Sequence, residues 1–404
     1  TETALLRVKN DILMNMDKQH VTLLVLLDLS AAFDTVDHTV LLRRMNSNFG
    51  VSGSALRWLT SYLFERSQRV TINGASSELF GIKNGVPQGS CLGPLLFVLY
   101  VSDLLDLINS HLPNSHAYAD DTQLYVSFRA DSRASKEKAI LTVEKCIDSI
   151  KQWMLTNKLK LNDEKTEILL IGTRQQLEKV DFNSIRVGST TVNCTGTAKN
   201  LGCWFDAKLD FNTHVTKCCK ASFFHIFNIR RIRKFLTRET TQILVQALVI
   251  SRLDYCNSLF YGLPSTCLRK LQSVQNTAAR LITNTPRFSH ITPVLSSLHW
   301  LPIKFRIQFK ILLLTFKILN NQAPPYLKEL VTLKVPTKYH LRSHTDNLLL
   351  QLPRKKTKKT LGDRSFEIAA PTLWNEIPYS VRASPSLTIF KKHLKTFLFK
   401  IAFK

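Results

Sequence analysis

No apolar run in this chain reaches the roughly 18 to 20 residues that a helix needs to cross a bilayer. The first twenty residues also lack a basic segment followed by an apolar one and a cleavage site. Both absences predict an intracellular soluble protein with no membrane partner. No methionine opens the sequence: Thr1 stands inside a helix-like stretch, TETALLRVKNDILMNM, so the N-terminus reads as a cut end with more sequence expected upstream. The eight cysteines include no C-x2-C pair, the usual zinc spacing. His214, Cys218, Cys219 and His225 lie close together, but their spacing suits one helix face better than a tetrahedral site, so reduced, packing cysteines are expected. No internal repeat is evident. A serine-hydrolase elbow is excluded as well, because Gly89-Ser90-Cys91-Leu92-Gly93 comes with no indicated triad partner.

Acidic residues become scarce beyond residue 210. Residues 1–130 hold 10 Lys/Arg against 12 Asp/Glu, residues 131–210 hold 13 against 11, and residues 211–404 hold 32 against 7. The whole excess of +25 therefore lies in the second half, which favours a polyanionic partner, nucleic acid above all. With 404 residues, 44% of them apolar, the chain can bury two or three cores.

The run VTLLVLLDLS (21–30) predicts a strand buried on both faces and ending in an acid. Helical spacing covers 38–65, and the Asn-Gly of RVTING signals a hairpin turn. Pro94 fits the first position of a helix through PLLFVLYVSDLLDLI. HAYADDTQLYVSF (116–128) reads as strand, acidic turn, strand; 134–158 as an amphipathic helix; KTEILLIG (165–172) as a strand. After about residue 212 basic helices follow, HVTKCCKASFFHIFNIRRIRKF, RETTQILVQALVISRLDYC and CLRKLQSVQNTAARLI, and PRKKTKKT (353–360) reads as an arm. The fold class is α+β: a mixed or antiparallel sheet with helices, then a helical domain and a mainly helical basic C-terminal domain.

Three acids carry the chemistry. Asp28 is delivered by an apolar strand to its own end, where a carboxylate is costly without hydrogen bonds or a cation. Asp120 and Asp121 are adjacent at a turn between strands, and like charges so close repel unless a cation intervenes. An all-oxygen donor set selects a hard cation, so magnesium is expected, with manganese as a substitute. Two such ions about 3.5 to 4 Å apart stabilise the attacking and leaving oxygens of a phosphoryl displacement. Between the acids, GVPQGSCLGPLLF (85–97) leads glycines and prolines into a helix, which allows close approach to a ligand.

These segments resemble the reverse transcriptases of non-LTR (LINE-type) retrotransposons. LLVLLDLSAAFDTVDH is similar to their motif A, GVPQGSCLGPLLF to motif B, YADD to motif C, WMLTNKLKLNDEKTEILLIG to motif D and LGCWFD to motif E, the primer grip. SRLDYCNSLFYGLP, LQSVQNTAARLI, LHWLPIKFRI and APTLWNEIP resemble C-terminal regions of the Jockey and chicken-repeat groups. The resemblance implies a right-hand polymerase with a palm in 1–210, a helical thumb in 211–285 and a basic C-terminal domain in 286–404. It implies metal binding by Asp28, Asp120 and Asp121 with the Leu29 backbone beside them, and nucleotide contacts from Phe33, Gln88, Gly89 and Lys165. Phe33 would select deoxynucleotides, Lys165 would donate a proton to pyrophosphate, and Leu201, Gly202, Cys203 and Trp204 would form the primer grip. The implied partners are an RNA template, a DNA primer and deoxynucleoside triphosphates, in the nucleus and cytoplasm, with the oligomeric state open. The fingers and the endonuclease of the family are expected upstream of Thr1. A catalytically silent nucleic-acid-binding remnant of such an element is the alternative, and a viral RNA polymerase a third.

Overall fold

A computed structural model describes residues 1–87, 89–112, 115–118, 121–334, 348–353 and 361–404. The chain begins with α1 (Glu2–Asp17) and β1 (His20–Leu27), then α2 (His38–Ser47) and α3 (Gly53–Leu63). Short strands follow: β2 (Arg66–Gln68), β3 (Thr71–Ile72), β4 (Ala75–Ser76) and β5 (Phe80–Ile82). Next come α4 (Gly93–Tyr100), α5 (Ser102–His111), β6 (Ser115–Tyr118), β7 (Asp121–Arg129), α6 (Arg133–Thr156), β8 (Glu167–Ile171) and α7 (Arg174–Leu177). Four strands follow, β9 (Ser184–Val187), β10 (Thr190–Thr195), β11 (Thr197–Asn200) and β12 (Cys203–Asp206). The chain falls into two compact units, residues 21–170 with 175–196, and residues 1–20 with 171–174 and 197–404. These boundaries are not those of the expected 1–210, 211–285 and 286–404 segments.

The first unit is built on a six-stranded sheet in the order β6-β7-β1-β8-β10-β9. β6 and β9 run antiparallel to their neighbours, whereas β10 runs parallel to β8, so the sheet is mixed as expected. β1 lies inside the sheet with Val21, Leu23, Leu24 and Val25 fully buried, because an apolar strand covered on both faces has no polar face to turn outward. Its one buried hydroxyl, Thr22, is satisfied by Ser127 on β7 at 2.8 Å. The expected Asn-Gly turn joins β3 to β4, with both Asn73 and Gly74 at positive φ.

One expected helix is two. The stretch from Pro94 onward breaks at Val101, where α4 and α5 meet at 44°. Arg44 explains the break, for its guanidinium takes the Tyr100 carbonyl and the Leu104 N–H turns to Val101 instead. Pro94 is the second residue of α4, still in the turn where its missing N–H costs nothing. No single described helix is long and apolar enough to cross a membrane; α4 and α5 meet that criterion only as this bent pair, and their Leu96, Phe97, Tyr100 and Ile108 belong to the core.

Arg44 is the hub of a buried polar cluster. It donates to the Asn157 side chain at 2.6 Å, pairs with Asp103 at 3.1 Å, and lies against the rings of Tyr100 and Trp153. The Tyr100 hydroxyl donates to the Asn157 carbonyl and accepts from the Asp37 N–H. Asp37 caps α2 through Val40 and pairs with Lys158. Burial raises the Asp37 carboxyl, but Lys158 and the Val40 N–H outweigh it and hold the group below its ordinary value. Arg44→Ala should cost about 3 kcal/mol, since it strands several buried acceptors at once. Urea melts of the two proteins measure it, and a loss below about 1 kcal/mol would remove the hub role.

In the second unit β11 and β12 form a hairpin, followed by α8 (Asn212–Ile232), α9 (Arg238–Val245), α10 (Ser251–Asp254), α11 (Ser265–Thr283), α12 (Ile291–Ser297), α13 (Ile303–Leu319) and α14 (Pro325–Lys328). The C-terminal helices are α15 (Phe366–Glu376), α16 (Tyr379–Arg382) and α17 (Leu387–Ala402). RETTQILVQALVISRLDYC, expected as one helix, is divided by a π turn over Gln246–Ile250. α1 is tied to the C-terminal part of this unit. Glu2 accepts from the Ser258 N–H and hydroxyl and pairs with Lys310, Arg7 pairs with Glu329, and Asn10 accepts the Glu367 N–H. Most of PRKKTKKT, at 354–360, lies outside the described residues.

Candidate active site

The apolar strand β1 ends at Leu27, and Asp28 is the next residue. The backbone there is held by the segment after α6: the Asp28 carbonyl accepts the Asn162 N–H at 2.9 Å, Leu29 bridges Leu161, and the Ser30 N–H reaches the Lys160 carbonyl at 2.9 Å. Leu29 is buried. The Asp28 side chain is 30% exposed, yet its Oδ2 is buried with no hydrogen-bond partner, and the Lys165 ammonium stands 3.5 Å from it. The ammonium offsets part of the cost of burying that oxygen, and a carboxylate oxygen that no N–H or O–H completes suits a metal ligand.

Asp121 is exposed and begins β7, where it pairs across the hairpin with Tyr118. β7 is the direct neighbour of β1 in the sheet. Asp120 lies outside the described residues, as does Gln88. The structure thus brings Lys165 to Asp28 and sets Asp121 at the end of the adjoining strand.

The loop after Asp28 is clamped to the segment before α4. The Phe33 carbonyl accepts the Val86 N–H at 2.8 Å, the Val36 carbonyl accepts the Gly85 N–H at 2.7 Å, and His38 donates from Nε2 to the Gly85 carbonyl at 2.7 Å. The Phe33 ring is half-buried and tilted on Phe97 at 5.1 Å, so it packs against the core. Gly89 is exposed at φ +80 with open space where a Cβ would stand. Ser90 caps the start of α4 by accepting the Gly93 N–H at 2.9 Å. A cleft of about 920 Å³ adjoins this loop, lined by Asp34, Arg66, Lys83, Gly85 and Pro87 among others, with two cations suited to a phosphate-bearing ligand. Gly85 and the Arg44 cluster were not singled out from the sequence. Gly85 had a signal, its place at the head of a glycine-rich run, whereas nothing local marked Arg44.

The four primer-grip residues lie in the other compact unit. Leu201 and Gly202, both at positive φ, turn β11 into β12, and Cys203 is buried while Trp204 is half-buried. The Tyr255 hydroxyl donates to the Leu201 carbonyl at 2.7 Å, His214 Nδ1 accepts the Trp204 N–H at 3.2 Å, and the Lys217 ammonium lies 3.0 Å from the Trp204 ring centre. Burial pulls the His214 imidazole down to about 4, which keeps it a neutral acceptor. Cys203 is pushed up by its hydrogen bond with Cys256 and by burial, so it is a packing thiol.

Asp206 ends this hairpin. Burial is the main cause that pushes its carboxyl up to about 6, the Asp210 N–H opposes this, and the Asp210 side chain adds to it. A raised carboxyl stabilises the fold fully below its unfolded value of about 4, and that contribution is lost as the pH rises to 6, amounting to about 2 to 3 kcal/mol. Asp206→Asn should therefore flatten the stability profile between pH 4 and 6 in denaturant melts. An unchanged slope would show that Asp206 does not titrate there.

Residues 5–205 match the family described as reverse transcriptase (RNA-dependent DNA polymerase). The RNA-directed DNA polymerase from the mobile element jockey of Drosophila melanogaster is 28% identical over 227 residues, 55% of this chain and 24% of that protein. The probable RNA-directed DNA polymerase from transposon BS of the same organism is 26% identical over 293 residues, 70% of this chain and 31% of that protein. The chain thus spans about a quarter to a third of the length of these curated relatives. Among solved structures, a telomerase from Candida albicans aligns with a TM-score of 0.31 and 13% identity over 72% of this chain and 47% of that one. At that level the fold rests on the chain's own sheet and helices. Taken with the acid-terminated central strand and the strand pair beside it, the match over 5–205 places this chain in the reverse transcriptase family, among the jockey-like non-LTR elements.

Proposed function

We propose that this chain is the polymerase portion of a jockey-like non-LTR element and adds deoxynucleotides to a DNA primer 3′-hydroxyl on an RNA template. The sheet-built unit would be the palm and the helical unit the thumb and basic C-terminal region of a right-handed polymerase. One observation carries the reading: Asp28 leaves a buried carboxylate oxygen without a hydrogen-bond partner at the end of the strand next to β7. The Thr22–Ser127 hydrogen bond supports convergence of the acids. Six positions separate Thr22 from Asp28 and six separate Ser127 from Asp121, so antiparallel pairing of β1 with β7 would bring the two aspartates level.

Asp28, Asp120 and Asp121 would hold divalent cations, magnesium by the all-oxygen donor set, and bound there the ions would supply charge neutralisation at the phosphates and at the primer hydroxyl. The other residues act on the reactants directly. Lys165, 3.5 Å from Asp28, balances that carboxylate and would give a proton to the departing pyrophosphate. Phe33, packed on Phe97, would stand against a nucleotide 2′-hydroxyl, and Gln88 and Gly89 would contact the nucleotide and template. Leu201 to Trp204 hold the primer end, with the turn pinned by Tyr255.

The test is incubation with an RNA template, a DNA primer, dTTP and Mg²⁺. Template-dependent extension that stops with EDTA is the expected result. Binding of the primer–template without extension, also when upstream sequence is added, would favour the silent remnant.

A further inference from the structure

We infer that the furrow between α8 and α11 is a binding site for single-stranded nucleic acid, held by its phosphates and stacked on exposed phenylalanines; this deepens the proposed reading of the chain as a nucleic-acid enzyme. The furrow encloses about 1170 Å³, and Arg230, Arg233, Lys234, Arg269, Arg280 and Arg287 all line it. No acid lines it, and among the described residues none of these six cations has a carboxylate partner. Arg233 is fixed by the Leu236 carbonyl and by the carbonyls of Leu281 and Ile282 in the last turn of α11. Arg280 donates to Ser289, but its Nε is buried with no hydrogen-bond partner. So many like charges facing one concave surface repel one another, and a polyanion removes that cost.

The aromatic residues decide which polyanion. Phe223, Phe227 and Arg230 recur at four- and three-residue steps, so they form one stripe along α8. Phe223 is 41% exposed, Phe227 60%, and Phe288, beside Arg287, 95%. Rings left in water next to cations suit unstacked bases, which offer a face to stack on, whereas paired bases offer none.

Fluorescence anisotropy of the full chain, in EDTA and without nucleotides, tests this with labelled oligomers of about 12 nucleotides: single-stranded RNA, single-stranded DNA and a blunt duplex. At least one single strand should bind about tenfold tighter than the duplex, and the better of the two names the strand. The double variant Arg230→Gln/Arg280→Gln should weaken it about tenfold and lower the logarithmic salt slope by about 1.4. Phe227→Ala should weaken it about fivefold or more with the salt slope unchanged. Equal binding of duplex, equal competition by polyglutamate, or full affinity in variants that keep the wild-type melting temperature would overturn the site. Asp28→Asn leaves this furrow untouched, so loss of extension with strand binding retained separates failure of one idea from failure of the other.

Discussion

Asp28→Asn should reduce primer extension by about a thousandfold or more, equivalent to about 4 kcal/mol of transition-state stabilisation. The substitution keeps the volume and the backbone links to Asn162 and Leu161 but removes the charge. It therefore leaves the fold intact and takes away what a cation would bind. The Lys165 ammonium, 3.5 Å away, then faces a neutral amide. A second readout is the melting temperature with and without Mg²⁺, because a ligand that binds only the folded state raises it. The wild-type protein should gain stability from the ion and the variant should gain less. Extension by Asp28→Asn within about tenfold of wild type would remove this residue from the centre.

Gly85→Ala should cost about 3 kcal/mol of stability or more and reduce extension about a hundredfold, although residue 85 is neither charged nor nucleophilic. Gly85 holds φ at +91, and a Cβ built there would lie 2.9 Å from the Asp34 carbonyl oxygen and 3.0 Å from the Asp34 Cα. These are backbone atoms of the loop that follows Asp28 and cannot rotate aside. The same glycine donates to Val36 and accepts from His38, so shifting it pulls two further links. Gly89→Ala is the control, for its φ of +80 brings strain but its Cβ would meet open space. It should lose only about 1 to 2 kcal/mol. Equal melting midpoints for the two variants would show that the close approach at Gly85 has no consequence.

Several features were legible from local chemistry. An almost wholly apolar run ahead of Asp28, interrupted only by Thr22, indicated a buried strand, Asn73-Gly74 indicated a two-residue hairpin, and the stretch around Asp121 read as strand, acidic turn, strand. The spacing of the motifs also indicated the family before any contact was known. The strand and the two turns depend on residues within a few positions of one another. The break at Val101 was not legible, because its cause is Arg44, 56 residues from the carbonyl it takes. The π turn at Gln246–Ile250 likewise leaves no mark in the helical spacing. The expected 1–210 segment followed the motifs, yet α1 and the β11–β12 hairpin group with the C-terminal residues, since Glu2, Arg7 and Asn10 find their partners there.

By itself the sequence determined which side chains are available for chemistry: three aspartates at the ends of strands, a lysine after a helix, and cations crowded into the second half. Only the tertiary structure decided what those side chains meet. It left an Asp28 oxygen unbonded and set Lys165 beside it, locked Gly85 against Asp34, and lined a furrow with six cations and no acid. Local sequence specifies backbone preference and charge, whereas desolvation and partner distance depend on segments that only folding brings together.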